Sequence, residues 1–264
     1  MSPSRRSEQG PGQPGVLGGE QVEGHHAVAE LLRCGRRRIR EVWLGAGARG
    51  PAVDEIERLA ARSGARVVRK ADPILANAAA TSAPQGVIAW ASPVRAVALD
   101  AVLSKADPFL VCLDGVTDPG NFGSVLRSAL CAGVDGVVIG RHRSAALTPA
   151  AVKAAAGAVE HLPIAAVGGI PSALQTISRA GTWVIGMDGD GPEDLWSSRA
   201  LDGSVALVMG AEGQGLSPLV RRRCDALVRI PQTSALGSMN VAAAAAVACF
   251  EVARRRREGA GAAR

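Results

Sequence analysis

The chain has 264 residues, 47% of them hydrophobic, and a formal net charge of +6. This composition excludes wholesale disorder and leaves room for one large core or two modest ones. Five scattered cysteines with no Cys-x-x-Cys pair, and four histidines without cysteine partners at ligand spacing, argue against a disulfide scaffold or a structural zinc site, so no metal is expected; reduced thiols in a cytoplasmic protein are.

Met1 to Gly19 is rich in Gly, Pro and Ser and lacks the apolar segment of a secretory signal; it reads as a flexible tail. From Glu23 helix and strand alternate. Val28, Leu31 and Leu32 form a helical stripe ending near Gly35, and Ile39–Leu44 reads as a strand. Val53–Ala61 is an amphipathic helix stopped by Gly64, Val67–Val68 a short strand, Pro73–Ala79 a helix and Gly86–Trp90 a strand. Ala96–Leu103 reads as a connecting helix. Beyond it, strands are expected at 109–113, 136–139, 163–167, 182–187, 204–209 and 226–230. Helices are expected at 121–132, 148–160, 171–180, 217–224 and 238–257. Asn121 or Ser124 could cap the first of these.

Near-continuous apolar strands separated by helices indicate a parallel sheet covered on both faces. The expected organisation is a tail at 1–19, a small α/β module at 20–92, a linker at 93–107, a larger α/β domain at 108–258 and a short tail at 259–264. Val241–Phe250, the most apolar run of the second half, is too short to span a bilayer, so a soluble protein is expected.

Charge is uneven along the chain. Residues 1–95 carry 14 Lys/Arg against 9 Asp/Glu, and residues 96–264 carry 16 against 15. Arg33, Arg36, Arg37, Arg38 and Arg40 fall within eight residues, and guanidinium forks suit phosphate, so these five are the candidate RNA contacts. The alternative is a solvated charged face.

In open parallel sheets, ligands bind beyond the carboxyl ends of the strands. Three unusual stretches leave such ends: Leu113–Ala132, Met209–Pro218 with Glu212 among three glycines, and Ile230–Asn240. Ser238 and Asn240 could cap the last helix or turn toward a ligand. There is no GxxxxGK[ST] and no GxGxxG order in the second loop, which argues against a P-loop and a nicotinamide dehydrogenase, and no GxSxG nucleophile elbow at a suitable turn.

The segments Asn121–Arg127 (Asn-Phe-Gly-Ser-Val-Leu-Arg), Gly210–Leu216 (Gly-Ala-Glu-Gly-Gln-Gly-Leu) and Ile230-Pro231 with Ser238–Ala242 closely resemble, in order and spacing, the three motifs of SpoU/TrmH-type RNA ribose 2′-O-methyltransferases. Val22–Leu32, Ile39–Leu44 and Gln85–Val87 resemble that family's ribosomal-protein-like RNA-binding domain. The nearest group is the guanosine 2′-O-methyltransferases of large-subunit (23S) ribosomal RNA. The resemblance implies a C-terminal α/β domain with a deep trefoil knot (the SPOUT fold), a homodimer, and S-adenosylmethionine held in the knot by Gly210, Ile230 and Met239 together with Ser238 and Asn240. It gives Arg127 the central catalytic role near the target phosphate, with Asn121, Glu212, Ser238 and Asn240 ordering Arg127, ribose and cofactor loop. Gln232, Ser234 and Met239 depart from the third motif's common residues. The competing readings are methylation of a transfer RNA, methylation of a ribosomal adenosine as in antibiotic-resistance relatives, and an RNA-binding or ribosome-assembly protein that has lost catalysis. Retention of Arg127, Glu212, Ser238 and Asn240 disfavours the last.

Overall fold

The computed structural model describes residues 15–142, 144–233 and 239–262. Its N-terminal half opens with strands β1 (Val16–Gly18) and β2 (Gln21–Glu23), helix α1 (His25–Cys34), β3 (Ile39–Gly45), α2 (Pro51–Ser63), β4 (Val67–Lys70), α3 (Asp72–Ala78) and β5 (Val87–Ala91). Strands β2, β5, β3 and β4 lie side by side in that order; only the β3–β4 pair is parallel. The period-2 alternation of β3 turns Val42 and Leu44 to the core, where Val28, Leu31, Val53 and Ile56 of the two long helices are buried. On the other face Trp43 and Trp90 meet edge-on, their ring centroids 4.3 Å apart, and the Lys70 ammonium sits 4.5 Å from the Trp43 ring.

A connection of β6 (Val94–Arg95) and α4 (Leu99–Leu103) leads into β7 (Phe109–Asp114), α5 (Pro119–Ala132), β8 (Gly136–Gly140), α6 (Pro149–Ala154), β9 (Ile164–Val167), α7 (Ile170–Arg179), β10 (Trp183–Met187), β11 (Glu193–Asp194), β12 (Val205–Gly210), α8 (Pro218–Arg221), β13 (Ala226–Arg229) and α9 (Val241–Ala262). Seven strands form one all-parallel sheet in the order β11-β13-β10-β12-β7-β8-β9. Burial on both faces explains the unbroken apolar strands. Phe109, Val111 and Leu113 point into a core shared with Phe122 and Leu126 of α5 and Ala245, Cys249 and Val252 of α9. Leu110 and Cys112 point the other way, into a core with Leu174 and Ile177 of α7. Strand order reverses between β7 and β12, so the loops leaving those two strands diverge around a crevice.

Several expectations change. Val16–Gly18, placed in the tail by its composition, pairs antiparallel with Val94–Arg95 of the expected linker. Only Leu99–Leu103 of the linker is helical, because Val97 bridges to Ala165 instead. The helix expected over 148–160 stops at Ala154; Ala156 and Gly157 take positive φ (48° and 93°) before a single 3-10 turn at Ala158–Glu160. Helix α1 forces this break: a Cβ on Gly157 would lie 2.4 Å from the Cβ of Glu30. The last helix runs on to Ala262 rather than ending at 257.

The same junction corrects one of the five expected RNA contacts. The Arg37 side chain is only 8% exposed, and that of Glu160 is 1% exposed. Arg37 forms a two-pronged ion pair with Glu160, its Nε donating to Oε2 at 2.9 Å, and its Nη1 donates to the carbonyls of Gly19 (2.8 Å) and Ser92 (2.9 Å). Four of its five N–H donors are so engaged and the side chain is enclosed; it fastens the N-terminal module to the larger domain. Arg33 is held by Glu30 and Glu55, whereas Arg36, Arg38 and Arg40 are exposed. Lys153 adds to the junction by donating to the Ala83 carbonyl, and His161 Nε2 lies 2.8 Å from Glu30 Oε2.

Candidate active site

The loop from β7 to α5 is shaped by Asp118. Its Oδ1 accepts the backbone N–H of Asn121 at 2.7 Å, capping α5, and Pro119 occupies the first turn where no N–H is needed. The cap is therefore neither Asn121 nor Ser124, the two candidates read from the sequence. This frees the Asn121 amide for other work.

The loop after β12 doubles back on itself. Ala211 and Gly215 exchange backbone hydrogen bonds at 3.0 and 2.9 Å, which folds Gly210–Leu216 into a tight cradle. Gly210 stands at its floor. A Cβ there would lie 2.2 Å from the Gly215 carbonyl carbon and 2.4 Å from the Leu216 nitrogen, so no other residue fits. Asp114 braces the cradle from β7, its Oδ2 accepting the Ser217 N–H at 2.8 Å.

Asn240 joins the three motifs. Its Oδ1 accepts the N–H groups of Ala242 (2.9 Å) and Ala243 (3.2 Å), so it caps α9. Its Nδ2 donates to Asn121 Oδ1 at 2.9 Å and to Glu212 Oε1 at 2.7 Å. One side chain thus fulfils both roles the sequence left open, as cap and as polar contact. Ser238 and Ser234 lie outside the described residues.

A cavity of about 470 Å³ opens between these loops, lined among others by Gly210, Glu212, Ile230, Met239 and Asn240. A second groove of about 820 Å³ lies alongside, lined by Asp114, Asp118, Asn121 and the start of α7. Glu212 and the cradle border both, so the Asn121–Asn240–Glu212 cluster forms the sill between them. The sequence did not single out Met187, Asp188 and Asp190, which also line the cavity. Met187 ends β10, which pairs with β12, and the two aspartates follow it, so the pairing of the two strands brings them to the cavity.

Arg127 is elsewhere. It is exposed on α5 and lines a separate cleft with His26, Glu30 and His161. Of the expected site residues, the fold brings together Asn121, Glu212, Asn240, Gly210, Ile230 and Met239, and leaves Arg127 outside the cavity. Among the described residues, no three His, Cys, Asp or Glu side chains converge as metal ligands.

The cavity's chemistry suits S-adenosylmethionine. Asp188, Asp190 and Glu212 offer negative charge to a cationic sulfonium and amino group, although Asp188 also pairs with Arg221 at 2.8 Å. Met209, Leu216, Ile230 and Val241 offer apolar surface to a purine. Replacing Asn240 with Ala removes the α9 cap and unties the sill. Thermal unfolding should then report a loss of about 0.5–2 kcal/mol from the cap, and isothermal calorimetry should report weakened cofactor binding. A variant with unchanged stability and affinity would refute the joining role.

Comparison with known proteins agrees with this geometry. Residues 108–250 match the model of the SpoU rRNA Methylase family, and residues 21–97 match the model for RNA 2′-O ribose methyltransferase substrate binding. The 23S rRNA (guanosine-2′-O-)-methyltransferase RlmB of Pseudomonas syringae pv. tomato is 38% identical over 243 residues, covering 90% of this chain and 96% of that protein. The RlmB of Vibrio cholerae is 35% identical over 248 residues, covering 91% and 98%. Among solved structures, the AdoMet-bound rRNA methyltransferase of Sinorhizobium meliloti aligns with a TM-score of 0.72 at 25% identity, over 89% of this chain and 86% of that one. The SpoU methyltransferase AviRb of Streptomyces viridochromogenes, crystallised with AdoMet, shares the fold with a TM-score of 0.77 at 24% identity, over 90% and 91%. With its C-terminal domain, its substrate-binding module and nearly its whole length matched, the chain belongs to the SpoU rRNA methylase family.

Proposed function

We propose that this protein is an S-adenosylmethionine-dependent methyltransferase that modifies the ribose 2′-hydroxyl of a guanosine in 23S ribosomal RNA. The observation that carries the reading is the single Asn240 side chain tying all three motif loops at the sill of a cofactor-sized cavity. When bound, the cofactor supplies an electrophilic methyl group on its sulfonium sulfur. Gly210, Ile230 and Met239 would hold it, with Glu212, Asp188 and Asp190 as the acidic wall. The chain's own task is to hold the ribose oxygen in near-attack geometry across the sill, an effect worth up to about 7–11 kcal/mol in favourable cases. Glu212 and Asn121, fixed through Asn240, orient the ribose.

Arg127 would stabilise the alkoxide that develops as the 2′-hydroxyl proton passes to water and the oxygen takes the methyl group, with the thioether as leaving group. A guanidinium offers donors and no acceptor, so electrostatic stabilisation describes its role better than proton abstraction. Because Arg127 lines a different cleft from the cofactor cavity of its own chain, we assign it to the cavity of a second copy in a homodimer. Phe250, 47% exposed on α9, offers apolar surface for such an interface. The trefoil knot belongs to the same reading. Its support is that the chain leaves β13 on the flank of the sheet and returns in α9 to pack on α5 and β12 near the middle. Exposed Arg36, Arg38 and Arg40 remain as RNA contacts. The setting is the cytoplasm; among the described residues no helix is long and apolar enough to cross a membrane.

Purified protein, labelled cofactor and unmodified ribosomal RNA test the reading. Label recovered in 2′-O-methylguanosine is the expected product, and label on a base or only on transfer RNA would overturn it.

A further inference from the structure

The groove beside the cofactor cavity has features that methyl transfer itself does not require. It lies at the carboxyl ends of β7, β8 and β9, between the start of α5, the start of α7 and the cradle, and holds about 820 Å³. One side is apolar: Leu219, which is 45% exposed, lines the groove with Ile170 and Pro171. Asp118 stands at the mouth. Its Oδ1 is engaged by the Asn121 N–H, while its Oδ2 accepts no hydrogen bond among the described residues. Asn121, the next residue toward the sill, is hydrogen-bonded to Asn240 and so connects this carboxylate to the reacting end of the site.

We infer that this groove receives the base of the nucleotide being methylated, and that Asp118 makes the site specific for guanine. The inference rests on the guanosine 2′-O-methyltransferase reading above and names its base-recognition element. A ribose whose 2′-oxygen lies at the sill must project its base away from the cofactor cavity, and the adjoining groove is the space available there. RNA-modifying enzymes commonly take a target nucleotide out of its stack and hold it in a fitted pocket. Leu219 and Pro171 supply surface for the ring. An ionised carboxylate accepts hydrogen bonds only. Guanine is the ribonucleobase that presents two adjacent donors, N1–H and the 2-amino group, on one edge. Adenine presents the acceptor N1 there, which a carboxylate repels.

Methyl transfer measured under kcat/KM conditions separates the parts. The substrates are synthetic RNAs spanning the modified position, with guanosine, inosine or adenosine at that position. Inosine lacks only the 2-amino donor. The wild-type protein should prefer guanosine over inosine by about tenfold or more, and over adenosine by a larger factor, since a site built to hydrogen-bond a group rejects analogues lacking it. Asp118→Asn keeps an effective helix cap but replaces one carboxylate oxygen with a donor. It should bring the guanosine-to-inosine ratio to within about threefold of unity, with cofactor affinity unchanged. Leu219→Ala should raise KM for RNA and leave that ratio as in the wild type. An Asp118→Asn protein retaining the full wild-type ratio would overturn the assignment, as would a wild type that treats guanosine and inosine alike. Failure of the wild type to methylate any of the three RNAs would instead overturn the parent reading.

Discussion

Arg127→Ala should cut methyl transfer by at least about a hundredfold to a thousandfold, the usual cost of removing one preorganised donor from a developing oxyanion. Binding of S-adenosylmethionine, followed by calorimetry, should be unaffected, because the role assigned to Arg127 is toward the ribose oxygen and the phosphate, while the cofactor is held by Gly210, Ile230 and Met239. Arg127→Lys should recover little of the loss. A compact ammonium does not reproduce the planar fork that spans phosphate and alkoxide. If the arginine acts on a partner's cavity, mixing an Arg127→Ala protomer with one carrying a disabled cavity should restore activity in the mixed dimer. Near-normal turnover by Arg127→Ala alone would remove Arg127 from the catalytic account.

The second large effect is on folding. Arg37→Ala or Glu160→Ala should each destabilise the protein by about 3–5 kcal/mol, because each leaves a buried charge without its partner. At roughly 2–4 °C per kcal/mol for a chain of this size, the melting temperature should drop by about 6–20 °C. Replacing both residues with apolar side chains of similar volume should cost much less than either single change, since no charge is then stranded. The outcome separates two views of the same arginine. A residue reaching for RNA would lower RNA affinity on mutation and leave the melting curve in place. Unchanged stability in Arg37→Ala would therefore restore it to the RNA-binding surface.

Arg37 also marks where sequence reading runs out. Five arginines in eight residues look alike, and the carboxylate that neutralises one of them lies 123 positions away. No local pattern reports that partner. The break after Ala154 fails for a related reason: Ala155–Ala158 is rich in a strong helix former, yet close approach of Glu30 imposes positive φ at two successive residues. Strand β1 is similar, since three residues in a Gly-rich stretch become a strand only by pairing with Val94–Arg95. By contrast, the large sheet was legible because its central strands are buried on both faces and carry that fact as apolar runs. The three motif loops were legible for their glycines and polar residues. That Asn240 would cap a helix and tie two other loops with the same amide required the folded geometry. The acidic wall from Asp188 escaped notice because Gly-Asp pairs after a strand read as an ordinary turn.

The site supports transfer of a methyl group to the 2′-oxygen of a guanosine in 23S ribosomal RNA. Ribose-methylation mapping of total RNA from the source organism, with the gene deleted and then restored, tests it most directly. One 2′-O-methylguanosine in 23S RNA should disappear on deletion, return with the wild-type gene and stay absent with Arg127→Ala. An unchanged 23S map, or a mark lost from transfer RNA instead, would contradict it.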